Sequence, residues 1–297
     1  MTRLGFAGLG DIGGPMAERL LEHSGQLHVW NRTAAKAEAV LSQGAVWMAS
    51  PAALADRCDV VGMCLTSDDA VEDLVFGSEG LLGARSGHRP TIVNLSTGSA
   101  ERNRRFAERA EALDARWVDA PVSGGPAAAR KGMLTIFLGG RDDAIVAAAP
   151  LLDALSAHRS HMGPAGAGQA TKLCNQMIVA SNIVTIAETI AVARAAGVDV
   201  ASLPEALKGG FADSMPLQLF GPRMAAHSYL PRLGAVALMA KDVGLAQAMA
   251  AKAGTATPLI DRVGELLQGV SAIDGLSQDD DLSVLVRLFE APLPGAP

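Results

Sequence analysis

A lysine set about one turn inside a helix that two glycines open is a candidate proton-transfer group, and this chain places one in Gly166-Ala167-Gly168-Gln169-Ala170-Thr171-Lys172-Leu173-Cys174-Asn175-Gln176. The N–H groups at a helix start carry partial positive charge and disfavour a nearby cation by about 0.3–1 kcal/mol. Either Lys172 is a surface lysine bearing that small cost, or the same field, with partial burial, lowers its pKa into the range useful for proton transfer. Lys172, Asn175, Gln176 and Val179 are spaced i, i+3, i+4, i+7, so the lysine and its polar neighbours share one helix face. A second stretch, Ser123-Gly124-Gly125-Pro126, follows an apolar run and presents a hydroxyl beside two unobstructed backbone N–H groups. Such a cluster can hold a carboxylate, and the same residues also make an ordinary turn.

The chain opens with an apolar run, Leu4 to Leu9, overlapping Gly8-Leu9-Gly10-Asp11-Ile12-Gly13 and leading into the helical spacing of Met16, Ala17, Leu20 and Leu21. Strand, G-x-G-x-x-G and helix in that order form a dinucleotide fingerprint, with the pyrophosphate meeting the helix N-terminus. A second strand, Leu27 to Trp30, ends in Asn31-Arg32-Thr33. Cofactor sheets selective for NAD carry a carboxylate here for the ribose 2′-hydroxyl. Asn31 with Arg32 instead suits a 2′-phosphate through charge and planar donors, so NADP is the expected cofactor, with NAD possible. Asn31 and Thr33 also fit as caps of a helix starting near Ala34.

The elements that must position these groups alternate strand and helix up to about Met162. Strands are expected at 59–65, ending in Leu65 and Thr66, at 91–95, ending in Ser96 and Thr97, at 117–122, and at 133–140, the last either parallel or antiparallel. Helices are expected at 100–115 and 144–157. Small hydroxyl residues at strand ends sit on the carboxyl edge of a parallel sheet, where ligands bind; they also serve as N-caps. The spacing then predicts one helix from Gln169 to Ala196, about 42 Å long, ending at Gly197, and further helices over 202–208, 215–228, 233–253, 258–269 and 280–290. These are apolar on too many sides for surface helices, so burial against a partner subunit is expected. Lys241-Asp242 interrupts one of them and is either a solvated face or a functional pair.

The fold class is therefore α/β, a doubly wound Rossmann-type sheet over 1–163 followed by an all-helical domain over 164–297. With 297 residues, 49% hydrophobic, 19% charged and a net charge of −6, the chain has no basic surface for nucleic acid or anionic membrane. Its three cysteines, Cys58, Cys64 and Cys174, show no metal or disulfide spacing and are expected as reduced core thiols of a cytoplasmic protein. The first strand begins too early for a signal peptide, and no uninterrupted apolar run is long enough for a membrane span. A Pro-rich tail at 292–297 is expected to be disordered.

Taken together, these stretches resemble the β-hydroxyacid dehydrogenases nearly end to end. Gly8 to Ala17 resembles that family's cofactor signature, Asp119 to Gly125 its substrate signature, Gly168 to Asn175 its catalytic G-x-x-x-K-x-x-N, and Lys241-Asp242 its late cofactor-contacting pair. The resemblance implies a Rossmann-type domain joined by a long helix to an all-α domain, a homodimer or homotetramer, and a small carboxylate-bearing substrate. It implies that Ser123 with the N–H groups of Gly124 and Gly125 holds the substrate carboxylate, that Asn175 and Gln176 orient the substrate, and that Lys172 is the general acid/base. The expected reaction interconverts a small 3-hydroxy acid and its semialdehyde or keto acid. The segment Phe211 to Pro216 departs from the family's tryptophan-containing version, which leaves substrate identity open. An imine reductase or reductive aminase of the same fold generally lacks lysine at the position of Lys172, and a non-catalytic dinucleotide-binding scaffold would have lost it; Lys172 disfavours both.

Overall fold

The computed structural model describes residues 2–83 and 87–290, so the expected disorder at 292–297 falls outside the described residues. The chain divides into two compact units, Met1–Lys172 and Leu173–Pro297, with the division inside the helix Ala167–Ala195.

The first unit is built on a nine-stranded sheet. Its strands are β1 (Leu4–Ala7), β2 (His28–Trp30), β3 (Val46–Trp47), β4 (Val60–Met63), β5 (Thr91–Asn94), β6 (Trp117–Asp119), β7 (Val122–Ser123), β8 (Leu134–Gly140) and β9 (Ser156–His161). The first six are parallel in the order β3-β2-β1-β4-β5-β6, and β8 joins β6 antiparallel, with β7 and β9 beside it. This is the doubly wound order, whose direction reverses between β1 and β4 and opens a ligand crevice at their carboxyl ends. Phe6, Ala7, Val60, Val61, Met63, Ile92 and Val93 are all buried. Unbroken apolar runs of that kind mark strands covered on both faces.

The helix Gly13–Ser24 covers the sheet with Met16, Ala17, Leu20 and Leu21 and stops at Gly25, whose left-handed backbone (φ 71°) lets its N–H donate to Leu21 O. The helices after β4 and β5 are capped by Ser67 and Ser99, whose Oγ atoms accept from the N–H groups of Ala70 and Arg102. The strand-end residues Thr66, Ser96 and Thr97 are therefore not the caps. β9 was not expected. Its sequence Ser-Ala-His-Arg-Ser-His is mostly exposed and has no apolar alternation; the apolar pattern before it ends with the helix Asp142–Leu155.

The second unit is helical, with helices Met215–Ala225, Val236–Lys252 and Pro258–Gly269 close to expectation. Two expectations are corrected. The helix over 202–208 shrinks to Leu203–Ala206, and the one over 280–290 is a 3₁₀ segment, Leu282–Val286, followed by a single α turn, Arg287–Glu290. Residues 233–235 stay extended because Leu233 and Gly234 N–H groups donate to buried Asp281 and Ala235 bridges to it. Ile183, Ile190, Phe220, Met224, Val243, Val263 and Leu285 form the core. Much of the apolar character assigned to a partner subunit is thus buried within this unit, although Ile178, Val192 and Leu259 remain exposed.

By length and composition alone the helix Ala167–Ala195 would suffice to cross a membrane. It carries buried Gln169, Lys172 and Gln176, and one face of it packs Ala180, Ile183, Ala187 and Ile190 into the core of the second unit.

Candidate active site

The glycine-rich loop sits where β1 gives way to its helix. Gly8 N–H donates to Trp30 O at the end of β2. A Cβ on Gly13 would lie 1.9 Å from Gly8 O, so helix and strand approach too closely for any other residue. Gly10 differs: a Cβ there would meet no protein atom within 4 Å. Protein packing gives no reason for glycine at this position, and a pyrophosphate drawn against the backbone does. The helix that follows has Ile12 as its N-cap with no side-chain cap bond and no acidic residue in its first turn. The residues present fit a dinucleotide.

Asn31 is tied to this loop. Leu9 N–H donates to Asn31 Oδ1 (2.9 Å), and Asn31 Nδ2 donates to Thr33 O (2.7 Å). Thr33 makes no side-chain cap bond, so the capping alternative gives way to a brace that holds the glycine loop on the end of β2. Arg32 and Thr33 are exposed. Across the crevice, Leu65 N–H donates to Ser96 Oγ (2.8 Å), joining the loops after β4 and β5. Ser96 is buried, Thr97 half-buried and Thr66 exposed.

Asp119, the last residue of β6, is fully buried. Its Oδ1 accepts from Gly166 N–H (2.8 Å) and its Oδ2 from Gln169 N–H (2.9 Å). Burial pushes its carboxyl above the usual range, and these backbone donors oppose that shift. Gln169, also fully buried, donates from Nε2 to Ser96 O (2.7 Å) and accepts at Oε1 from Gly98 N–H (2.9 Å). The helix start is thus bonded to both β6 and the loop after β5. Its glycines do not leave room for a nicotinamide: a Cβ on Gly166 would lie 2.5 Å from Ala100 O, and one on Gly168 2.5 Å from Phe137 O. Lys172 follows one turn after Gln169's first bonds and is only 6% exposed.

Ser123 ends β7, paired with Thr135 of β8 and half-buried. Gly124 (φ 132°) and Gly125 (φ 70°) then turn the chain into the short helix Gly125–Arg130. A Cβ on Gly125 would again meet open space.

In the second unit, Asn175 Nδ2 donates to Gln176 Oε1 (3.0 Å), and Gln176 Nε2 donates to Asp242 Oδ2 (2.7 Å). Lys241 Nζ lies 3.2 Å from Asp242 Oδ1. Asp242 is buried, so the pair is no solvated face. Both ends of the Gln176 amide are engaged within the protein. The residues to which sequence reasoning gives no role of their own are Asp119 and Gln169. Each stood inside a quoted motif, and the available signal was a polar residue amid small apolar neighbours. Cys174 corrects a further expectation, being exposed rather than a core thiol. Cys58 is buried, and burial pushes its thiol up to about 12.

Comparison with known proteins agrees with this geometry. Residues 3–163 match the family model for the NAD binding domain of 6-phosphogluconate dehydrogenase, and residues 166–289 that for the NAD-binding of NADP-dependent 3-hydroxyisobutyrate dehydrogenase. The chain is 35% identical to 2-hydroxy-3-oxopropionate reductase of Escherichia coli (strain K12), over 97% of each chain. It is 32% identical to 3-hydroxyisobutyrate dehydrogenase of Pseudomonas aeruginosa, over 97% of this chain and 99% of that one. A solved structure of Mycobacterium tuberculosis 3-hydroxyisobutyrate dehydrogenase with L-serine superposes with a TM-score of 0.85 at 28% identity, covering 98% of this chain and all of the other. Glycine loop, doubly wound sheet and helical second unit therefore belong to one lineage: the chain is a member of the β-hydroxyacid dehydrogenase family of NAD(P)-dependent oxidoreductases.

Proposed function

We propose that this protein is an NADP(H)-preferring enzyme that interconverts a small 3-hydroxy acid and its semialdehyde or keto acid, with Lys172 as general acid/base. The observation that carries the reading is a lysine 6% exposed, one turn beyond a helix start bonded to both Asp119 and the loop after β5. A group held this firmly can deliver a proton along one direction, and a positioned acid/base contributes about 10²–10⁴-fold in rate.

Gly8 to Gly13, Asn31 to Thr33, Leu65, Thr66, Ser96, Thr97 and Lys241 are assigned to the cofactor. Once bound, the nicotinamide donates or accepts the hydride. Ser123 with the N–H groups of Gly124 and Gly125 holds the substrate carboxylate and so sets which carbon faces Lys172. Asn175 orients the substrate, and Gln176, bonded to Asn175 and Asp242, fixes the rotamer of Asn175. In reduction Lys172 gives its proton to the carbonyl oxygen, and in oxidation it removes the hydroxyl proton. NADP preference rests on exposed Arg32 and the absence of a carboxylate at Asn31. The exposed apolar side chains Ile178, Val192 and Leu259 support a homodimer or homotetramer.

The test is oxidation of NADPH and of NADH with glyoxylate, succinic semialdehyde, tartronate semialdehyde and methylmalonate semialdehyde, run beside a cyclic imine. Turnover of at least one aldehyde acid with NADPH favoured is expected. Turnover of the imine alone would make the protein an imine reductase, and tight NADPH binding without turnover of any compound would make it a scaffold.

A further inference from the structure

A fully buried, doubly bonded amide, Gln169, lies at the root of the helix that carries Lys172 and takes no part in the proton and hydride transfers. Gln169 spans two segments that are distant in sequence and both assigned to the reaction: Ser96–Gly98 on the cofactor side, and the turn leading to Lys172. Its Nε2 donates to Ser96 O at 2.7 Å and its Oε1 accepts from Gly98 N–H at 2.9 Å. Its own N–H is held by Asp119 at 2.9 Å. Ser96 in turn receives Leu65 N–H on its Oγ at 2.8 Å and donates its own N–H to Asn94 Oδ1 at 3.1 Å. A continuous hydrogen-bonded path therefore runs from the loop after β4 through Ser96 to Gln169 and Asp119. A surface helix start needs no such path, because water satisfies its polar groups.

We infer that Gln169 is a positioning residue that locks the Ser96–Gly98 loop to the helix turn carrying Lys172, so that cofactor loop and proton donor keep one fixed separation. The inference rests on the proton-transfer reading of Lys172. Gln169 touches neither substrate nor reacting atom in this account; it acts through the two segments it joins.

Two variants test it. Gln169→Leu removes both bonds. Gln169→Glu keeps the acceptor for Gly98 N–H but, when ionised, sets a second carboxylate oxygen against Ser96 O; protonated, its hydroxyl donates to Ser96 O and restores both bonds. Burial favours the protonated form. We expect kcat of Gln169→Leu to fall about 10–100-fold while the Kd for NADPH stays within about threefold, because misplacement of a positioned group costs rate rather than binding. Gln169→Glu should recover as pH falls, its kcat relative to wild type rising about tenfold across the ionisation of the new carboxyl. In the cofactor-free protein, amide hydrogen exchange in Gln169→Leu should quicken together in segments 96–99 and 166–172 while β1 keeps its protection.

Wild-type kcat in both variants, or faster exchange in 96–99 with 166–172 unchanged, would overturn the inference. If Gln169→Leu does not fold, the pH response of Gln169→Glu decides alone, and a flat ratio overturns it. Lys172→Ala assayed alongside separates the two ideas. Loss of turnover there with normal Gln169 variants overturns only the inference, whereas retained turnover overturns the reading of Lys172 beneath it.

Discussion

Two glycine-opened helix starts in the first unit look alike in sequence and differ in what meets their N–H groups. At Gly8–Gly13 the helix has no side-chain cap and no acidic residue in its first turn, and the middle glycine faces open space. At Gly166–Gly168 the glycines are packed against Ala100 and Phe137, and the buried carboxylate of Asp119 accepts from Gly166 and Gln169. Both ends present the same partial positive charge. In the second the protein supplies the anion itself, which makes that helix start a joint; in the first the anion is left to a ligand. A helix start already satisfied by its own chain can place a side chain such as Lys172 accurately, and one left open can bind a pyrophosphate.

Paired substitutions break this comparison most sharply. Gly13→Ala forces a Cβ into Gly8 O and should destabilise the cofactor-free protein by about 3 kcal/mol or more, read by urea denaturation. Gly10→Ala adds a methyl to open space; its stability should stay within about 0.5 kcal/mol while NADPH binding weakens about tenfold or more, a cost of about 1.4 kcal/mol. Equal stability losses in the two would remove the distinction between packing glycine and ligand glycine. At the closed joint, Asp119→Asn turns one acceptor into a donor facing a backbone N–H and should cost about 2 kcal/mol, with little change in NADPH affinity measured on the folded protein.

The smallest effect concerns pH, where a buried and an exposed carboxylate have opposite signs. Asp119, raised by burial, binds its proton more tightly folded than unfolded, so its contribution falls as pH rises above the unfolded carboxylate range. Asp59 is held down to about 2, chiefly by its hydrogen bond with Arg3. Its contribution is present above the unfolded value of about 3.9 and is lost as pH falls toward about 2. Both partners are well exposed, so solvent screening keeps the contribution of the pair small. Arg3→Ala should therefore lower the melting temperature slightly at pH 5 and not at pH 2.

Much of the sheet is legible because β1, β2, β4, β5, β6 and β8 lie within short, largely apolar runs. β9 is not, since an exposed edge strand needs no apolar face to form and its polar side chains carry no period. The last helix was over-read for the opposite reason: Leu282–Val286 is buried on all sides, and a short continuous apolar run suits a 3₁₀ segment as well as an α-helix. In the candidate site, motif residues such as Gly10, Asn31 and Lys172 are singled out by type and spacing alone. The partners that hold them are not. Gln169 reaches Ser96, 73 residues away, and Asp119 reaches Gly166 across 47; spacing along the chain carries no trace of such contacts. Gln176 likewise donates to Asp242, 66 residues further on, a contact that spacing does not reveal.

If the joint at Gly166–Gly168 holds Lys172 as the proton donor, removing the amine should abolish turnover and spare cofactor binding. The most direct measurement is kcat of Lys172→Ala beside its Kd for NADPH, using whichever aldehyde acid the wild-type protein turns over. We expect kcat to fall about 100-fold or more, with NADPH affinity within about threefold of wild type. A variant that keeps more than about a tenth of wild-type turnover would contradict this reading.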